Sequence, residues 1–313
     1  MSLPQLWYVM VDFINRNIFP TIVLVTISFG LVGLFWSDLL QQIQYPLLVG
    51  LVLLIGLPHG ATDFLLFRRL YGPKLSRKQV FRFFLFYMIA VLGYMAVWLL
   101  FPTIALVSFL LISAYHFGQS NWQSLPLSAG FKSGLNVAFG AFTIGGAVLW
   151  HWKEGYPIVR QMIGDFPVWS ETIMANIQWL ILLLNVVILF GLRLTGQIDR
   201  PLLLSEVLKL AALSVMFYFT PLLVGFTLYF TLWHSLSSLL DQLSFFRHQW
   251  PDFTIINYYY QAAPYTFLAI IGLLGLAFGQ SILFPEASLL SLFLILIACV
   301  TLPHIILVEE RYK

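Results

Sequence analysis

Stretches of about 18 or more mostly apolar residues recur from one end of this chain to the other. Each is long enough to cross the roughly 30 Å hydrocarbon layer of a bilayer as a helix. The runs are continuous rather than alternating, which argues against a transmembrane barrel. Of the 313 residues 60% are hydrophobic and only 9% charged, more apolar surface than a soluble domain of this length can bury. The expected fold class is therefore all-α: a polytopic integral membrane protein of about ten transmembrane helices, built as one domain over 1–313. The expected spans are 18–36, 43–67, 80–100, 102–122, 131–152, 174–194, 203–219, 221–243, 260–280 and 287–308. Proline starts the fourth and eighth after the tight turns at Phe101-Pro102 and Thr220-Pro221. No small-residue cleavage pattern follows the mixed first 17 residues, so the first run reads as an uncleaved span.

The net charge of +3 is not a nucleic-acid signature, because the basic residues cluster at helix ends. Placing both termini in the cytoplasm leaves only Lys153 and Arg160, of 16 Lys and Arg, on the outside. That asymmetry supports the orientation and an even number of spans, in the cell (inner) membrane. The longest outside loop, about 153–173, carries aromatic residues suited to the interface. The single cysteine, Cys299, excludes an internal disulfide and a thiolate cluster.

Four of the six histidines fall inside these apolar runs: His59, His116, His234 and His304. An ionisable side chain in hydrocarbon is costly and marks a functional site by default. Their spans, the second, fourth, eighth and tenth, all run from outside to inside, and each histidine lies in the later half of its span. At about 1.5 Å per residue the four share one layer in the inner half of the membrane. Imidazole binds metals in its neutral form, so four at one depth point to a metal site. His151 and His248 fall at the interface. Four imidazoles without thiolate suit iron(II), with zinc or copper possible, and zinc would imply hydrolysis through a bound water.

Pro58 and Pro303 precede two of these histidines and deprive the carbonyls of Leu54 and Cys299 of helical partners. Asp63 follows His59 by four residues and Asp241 follows His234 by seven, each on its histidine's face. Such a carboxylate can orient a ligating imidazole or move a proton. Gln119, Ser120 and Asn121 are close enough to hydrogen-bond near His116, while Glu309 and Glu310 read as a solvated helix end. Asp63 and Tyr115 are the candidate catalytic residues. Aromatic residues make up 17% of the chain, and Phe64, Tyr115, Phe117, Trp122, Phe230 and Trp233 lie near the histidines in sequence. They are compatible with a long unsaturated hydrocarbon.

The segments Gly56-Leu57-Pro58-His59-Gly60-Ala61-Thr62-Asp63, Ser113-Ala114-Tyr115-His116-Phe117-Gly118, Tyr229-Phe230-Thr231-Leu232-Trp233-His234-Ser235 and Thr301-Leu302-Pro303-His304 resemble, in order, motifs of the Brp/Blh family of membrane-bound β-carotene dioxygenases. The resemblance implies cleavage of the central double bond of β-carotene by O2 to two molecules of retinal, with non-haem Fe(II) held by histidines. His59, His116 and His234 match the family's ligand positions, and His304 stands for the fourth. It implies membrane lipids and a carotenoid as partners, with a retinal-accepting rhodopsin downstream. One departure is Ser238, where family members carry a further histidine four residues after the one matching His234. Two other classes fit the residues alone. One is a transporter using Asp63 and the histidines as a proton relay; the other is a haem-binding electron-transfer protein.

Overall fold

The computed structural model describes residues 3–72, 74–122, 127–247, 250–283 and 287–312. The described residues are helical, with no strand among them. In chain order the helices are α1 (Leu3–Phe35), α2 (Ser37–Leu51), α3 (Leu57–Gly60), α4 (Asp63–Tyr71), α5 (Arg77–Leu100), α6 (Pro102–Trp122), α7 (Ala129–Leu149), α8 (Trp152–Ile163), α9 (Glu171–Leu194), α10 (Arg200–Phe219), α11 (Leu222–Leu228), α12 (Leu236–Arg247), α13 (Ile255–Leu283) and α14 (Leu289–Tyr312). Two π-helical turns, Val52–Gly56 and Tyr229–Ser235, join α2 to α3 and α11 to α12.

Among the described residues eight helical segments are long and apolar enough to span a bilayer. A ninth arises if α7 and α8, bent by 101° at their junction, count as one. All ten expected spans are helical, but α6 falls outside that count. Its C-terminal half carries Tyr115, His116, Gln119 and Asn121, which dilute its hydropathy. About half of the expected outside loop at 153–173 is instead α8, a short amphipathic helix that buries Trp152, Gly155 and Met162.

Local signals set the helix starts. Ser76 and Gln79 form a reciprocal capping box on α5. Ser170 accepts from the Ile173 amide at 3.2 Å on α9, and Asp199 accepts from the Leu202 amide at 2.9 Å on α10.

Apolar area alone gives helices in lipid little reason to associate, so small residues and buried polar bonds bring them together. The tightest pair is α6 with α7. Gly118 lies on the backbone of Asn136 and Gly140 on that of Ala114, leaving no room for a β-carbon at either glycine. The glycine of the His-Phe-Gly segment is thus a packing requirement. Between α7 and α9, Gln178 donates to the Phe142 carbonyl (3.0 Å) and Asn185 to that of Ala138 (3.0 Å). The C-terminal end of α6 is tied to α10 by Asn121, which bonds Glu206 (2.9 Å) and Lys209. Lys209 also pairs with Glu206 at 2.8 Å. Lys209 is half-buried, with its charge balanced inside the bundle.

These contacts predict that Gly140→Leu costs at least about 1–3 kcal/mol by overpacking against the α6 backbone. Gly93→Ala, where a β-carbon meets open space, should be tolerated. Thermal unfolding of the detergent-solubilised protein checks both, and equal midpoints for Gly140→Leu and wild type would contradict the packing argument.

Candidate metal centre

His59 sits on α3, immediately after Pro58. Pro58 has no amide hydrogen, so the helix cannot continue its regular bonding, and the Leu57 amide reaches back five residues to the Val52 carbonyl. The Leu54 carbonyl, stripped of its helical partner, accepts from the Tyr259 hydroxyl of α13 at 3.0 Å. His234 lies within the second π turn, where the Leu236 amide likewise bonds five residues back, to Thr231. There the Ser235 hydroxyl donates to the Phe230 carbonyl at 2.7 Å. Single π turns inside helices concentrate at functional sites because they re-aim one side chain. The two pack against each other, and Gly56 leaves the space that the Phe230 ring fills. His116 and His304 come from the regular helices α6 and α14, the latter unbroken through Pro303.

The four imidazoles are buried and form a closed ring of neighbours. Ring centres are 5.1 Å apart for His59–His234, 4.9 Å for His234–His116, 5.4 Å for His116–His304 and 4.9 Å for His304–His59. Adjacent rings lie at 72° to 89° to one another. With a metal–nitrogen bond of about 2.1 Å, imidazole centres bound side by side to one ion fall roughly 4.5–5.3 Å apart. The rings are therefore spaced as co-ligands. Their nitrogens do not converge, and among the described residues no three His, Cys, Asp or Glu side chains are arranged to hold an ion as they stand. His59 Nδ1, both nitrogens of His116 and His304 Nε2 are buried without a hydrogen-bond partner. Leaving such atoms unsatisfied costs about 1–3 kcal/mol each. A group that takes nitrogen lone pairs relieves that cost, so the donor set fits a metal ion.

Asp63 holds the ring from outside. Its Oδ1 lies 2.7 Å from His304 Nδ1, and its Oδ2 accepts from the Tyr87 hydroxyl at 2.9 Å. A carboxylate accepts, so Nδ1 carries a proton, and Nε2 is the nitrogen through which His304 could offer a lone pair. Tyr87 was not found from sequence, since a tyrosine in an apolar helix has no spacing signal linking it to a carboxylate 24 residues away.

Two further networks brace the histidine helices. Thr62 and Tyr258 both donate to Gln242 Oε1, at 2.6 and 2.9 Å, joining the segment after His59 to α12 and α13. Glu309 accepts from Gln119 (2.5 Å) and from the Tyr115 hydroxyl (3.3 Å), joining α6 to α14. Glu309 was expected as part of a solvated helix end and is instead a half-buried acceptor between two histidine helices. Tyr115 is not on the cavity wall and faces Glu309. Asn121 bonds Glu206 and Lys209, away from the histidines, and Asp241 is exposed on α12. The side chain of Ser120 and all of His248 lie outside the described residues. His151 Nε2 contacts the Phe217 carbonyl at 2.6 Å, remote from the ring.

The histidine ring forms part of the wall of an apolar cavity of about 920 Å³. Phe64, Phe117 and Phe230 line it, while Trp122 packs in the core and Trp233 donates to Thr26 at 2.8 Å. Asp63 is the one Asp, Glu, Lys or Arg on its wall among the described residues. One part of the cavity lies between α6, α7, α11 and α14 and is lined at its end by α8. Along α14 the wall extends from His304 to Phe293, about 16 Å at the helical rise. Another part runs sideways between α5 and α13.

Searches of curated proteins and of solved structures return no match. The profile of one family, β-carotene 15,15′-dioxygenase, matches residues 50–310 and so includes all four buried histidines, Asp63 and the cavity helices. That match decides against the carrier, electron-transfer and hydrolase readings. The chain belongs to the β-carotene 15,15′-dioxygenase family and is a carotene dioxygenase, an oxidoreductase embedded in a membrane by multiple helices.

Proposed function

We propose that the protein cleaves the central double bond of β-carotene with O2 to give two molecules of retinal, using non-haem Fe(II) held by His59, His116, His234 and His304. The observation that carries this reading is the closed ring of four buried imidazoles, three of them with unpartnered nitrogens, on the wall of an apolar cavity. Iron(II), when bound, supplies the reactivity toward dioxygen that a closed-shell hydrocarbon and protein side chains lack. Each carbon of the broken double bond takes one oxygen atom, so one O2 accounts for both aldehydes.

The chain's own residues position and exclude. A bond cut at the middle of a long polyene requires a long apolar space beside the histidines, and a cavity lined by residues of α5, α6, α7, α8, α13 and α14 supports that reading. Phe117 and Phe230 flank His234, with ring centres 4.6 and 6.0 Å from it, and offer faces for a conjugated chain beside the reacting bond. The apolar wall keeps water from the centre. Asp63, steadied by Tyr87, holds the proton of His304 on Nδ1 and offsets the positive charge of the centre. Tyr115 acts at one remove, through Glu309, by fixing the angle of α6 to α14. Ser238 is half-buried one turn beyond His234, and the ring of imidazoles closes through His304 without a fifth histidine. The setting is the cell (inner) membrane, with a retinal-accepting rhodopsin as consumer of the product.

In cells that make β-carotene, wild type should yield retinal by chromatography. His59→Ala and His234→Ala should lower the yield at least about 100-fold, as expected when one of several co-acting groups is lost. Undiminished retinal from either variant would sink the assignment. A separate measurement reads the support of the centre. Asp63→Asn should weaken metal retention about 10–100-fold in protein purified without oxygen, with Tyr87→Phe affected in the same direction but less. Metal content equal to wild type in both would remove Asp63 from this role.

A further inference from the structure

The sideways part of the cavity reaches the lipid. Phe84, Met88 and Leu268 line it and are nevertheless 38%, 51% and 65% exposed, on α5 and α13. An inward-facing residue so exposed in a membrane helix marks an opening in the wall.

The helix on one side of that opening is loosely attached. Only 6% of the apolar membrane stretch of α13 is buried, the lowest share among the candidate spans. It is fastened at its inner end, where Tyr258 is fully buried and Tyr259 bonds the Leu54 carbonyl. It also meets α14, with Gln280 donating to the Ala287 carbonyl at 2.9 Å, but between these attachments it stands off at Gly272, which lines the cavity where a β-carbon would meet nothing within 4 Å. The helix on the other side, α5, packs on α6 and α14 and scarcely on α13. Side chains bridge the gap. The rings of Phe84 and Tyr265 stack at 6.3 Å and 24°, with Phe64 at 5.2 Å from Phe84 and 6.1 Å from Tyr265. Phe64 is the neighbour of Asp63.

We propose that the gap between α5 and α13 is a lateral portal through which a polyene hydrocarbon passes directly between the bilayer and the histidine centre, with the Phe84–Tyr265 stack as its movable leaf. This rests on the carotenoid-cleaving reading and extends it to the route of the substrate. A route through water would expose the hydrocarbon at roughly 25 cal/mol for each Å². A route from lipid carries no such penalty, because lipid tails and the cavity wall are about equally apolar. The same equality means that burial gives no selectivity over an acyl chain. Stacking on flat aromatic faces does, because a conjugated chain is planar and polarisable. The opening is accordingly framed by Phe64, Phe84 and Tyr265.

The test uses the full-length protein in liposomes with Cys299→Ala, Phe84→Cys and Tyr265→Cys, the pair bridged by a cleavable bifunctional thiol reagent. β-Carotene uptake is read by absorbance of the re-isolated protein, and retinal formation in parallel. Bridging should lower both about tenfold or more, with recovery on cleavage and an unchanged unfolding midpoint. Uptake and turnover unaffected by the bridge would overturn the portal, as would a bridge that changed bound phospholipid but not β-carotene. Absence of retinal in wild type, with uptake still controlled by the bridge, would instead count against the cleavage reading alone. Should the cysteine pair impair the unbridged protein, Met88→Trp and Leu268→Trp at the mouth provide the second arm. A roughly tenfold fall in kcat/KM carried by KM is expected, and an unchanged KM would overturn the proposal.

Discussion

Neutral imidazoles in hydrocarbon must find partners, and the arrangement of this protein follows from how four of them do so. Each ring meets two others, and His304 is bonded in addition by Asp63. A lone pair with no partner in a dry interior costs on the order of 1–3 kcal/mol, so four unsatisfied nitrogens burden the fold unless a ligand accepts them. That burden is sustained by helix packing elsewhere, above all by the glycine contacts of α6 with α7. Stability is concentrated away from the site and spent on holding the histidines in place.

The helical irregularities serve the same end. Two of the four histidines lie within or just after a π turn, and the bonds those turns release are taken up by Tyr259 and Ser235. In lipid a freed carbonyl has no water to turn to, so a re-aimed helix is admissible only where a side chain compensates it. The hydroxyl of Tyr259 therefore does two things: it satisfies the break caused by Pro58, and it fastens the inner end of α13, whose outer part borders the lateral opening.

Much of this was legible in the chain. The apolar runs, the bias of Lys and Arg, and the later-half position of each histidine led to one layer of imidazoles, and the four do meet. The association of Asp63 with this group was also readable from its spacing to His59, though its bond is to His304. Other features were not legible. Glu309 reads as a helix end because two acidic residues close an apolar run, yet Gln119, 190 residues earlier, comes within 2.5 Å of it. Tyr87 and Tyr259 are two among many aromatic residues in apolar helices, and only their neighbours distinguish them. The region 153–173 reads as a loop because it is polar enough to leave the membrane; half of it forms α8, which lines one end of the cavity.

The division has a simple physical origin. Hydropathy and the fixed rise of a helix determine where along the membrane normal each residue stands, and these are properties of each segment alone. The sequence by itself thus determined the membrane class, most of the spans and the shared level of the four histidines. Which face of each helix turns inward, and which helices become neighbours, depends on small-residue contacts and polar bonds made by all segments at once. Only the tertiary structure could therefore decide the order of imidazoles around the ring, the Tyr87–Asp63–His304 chain, the cavity end lined by α8 and the opening between α5 and α13.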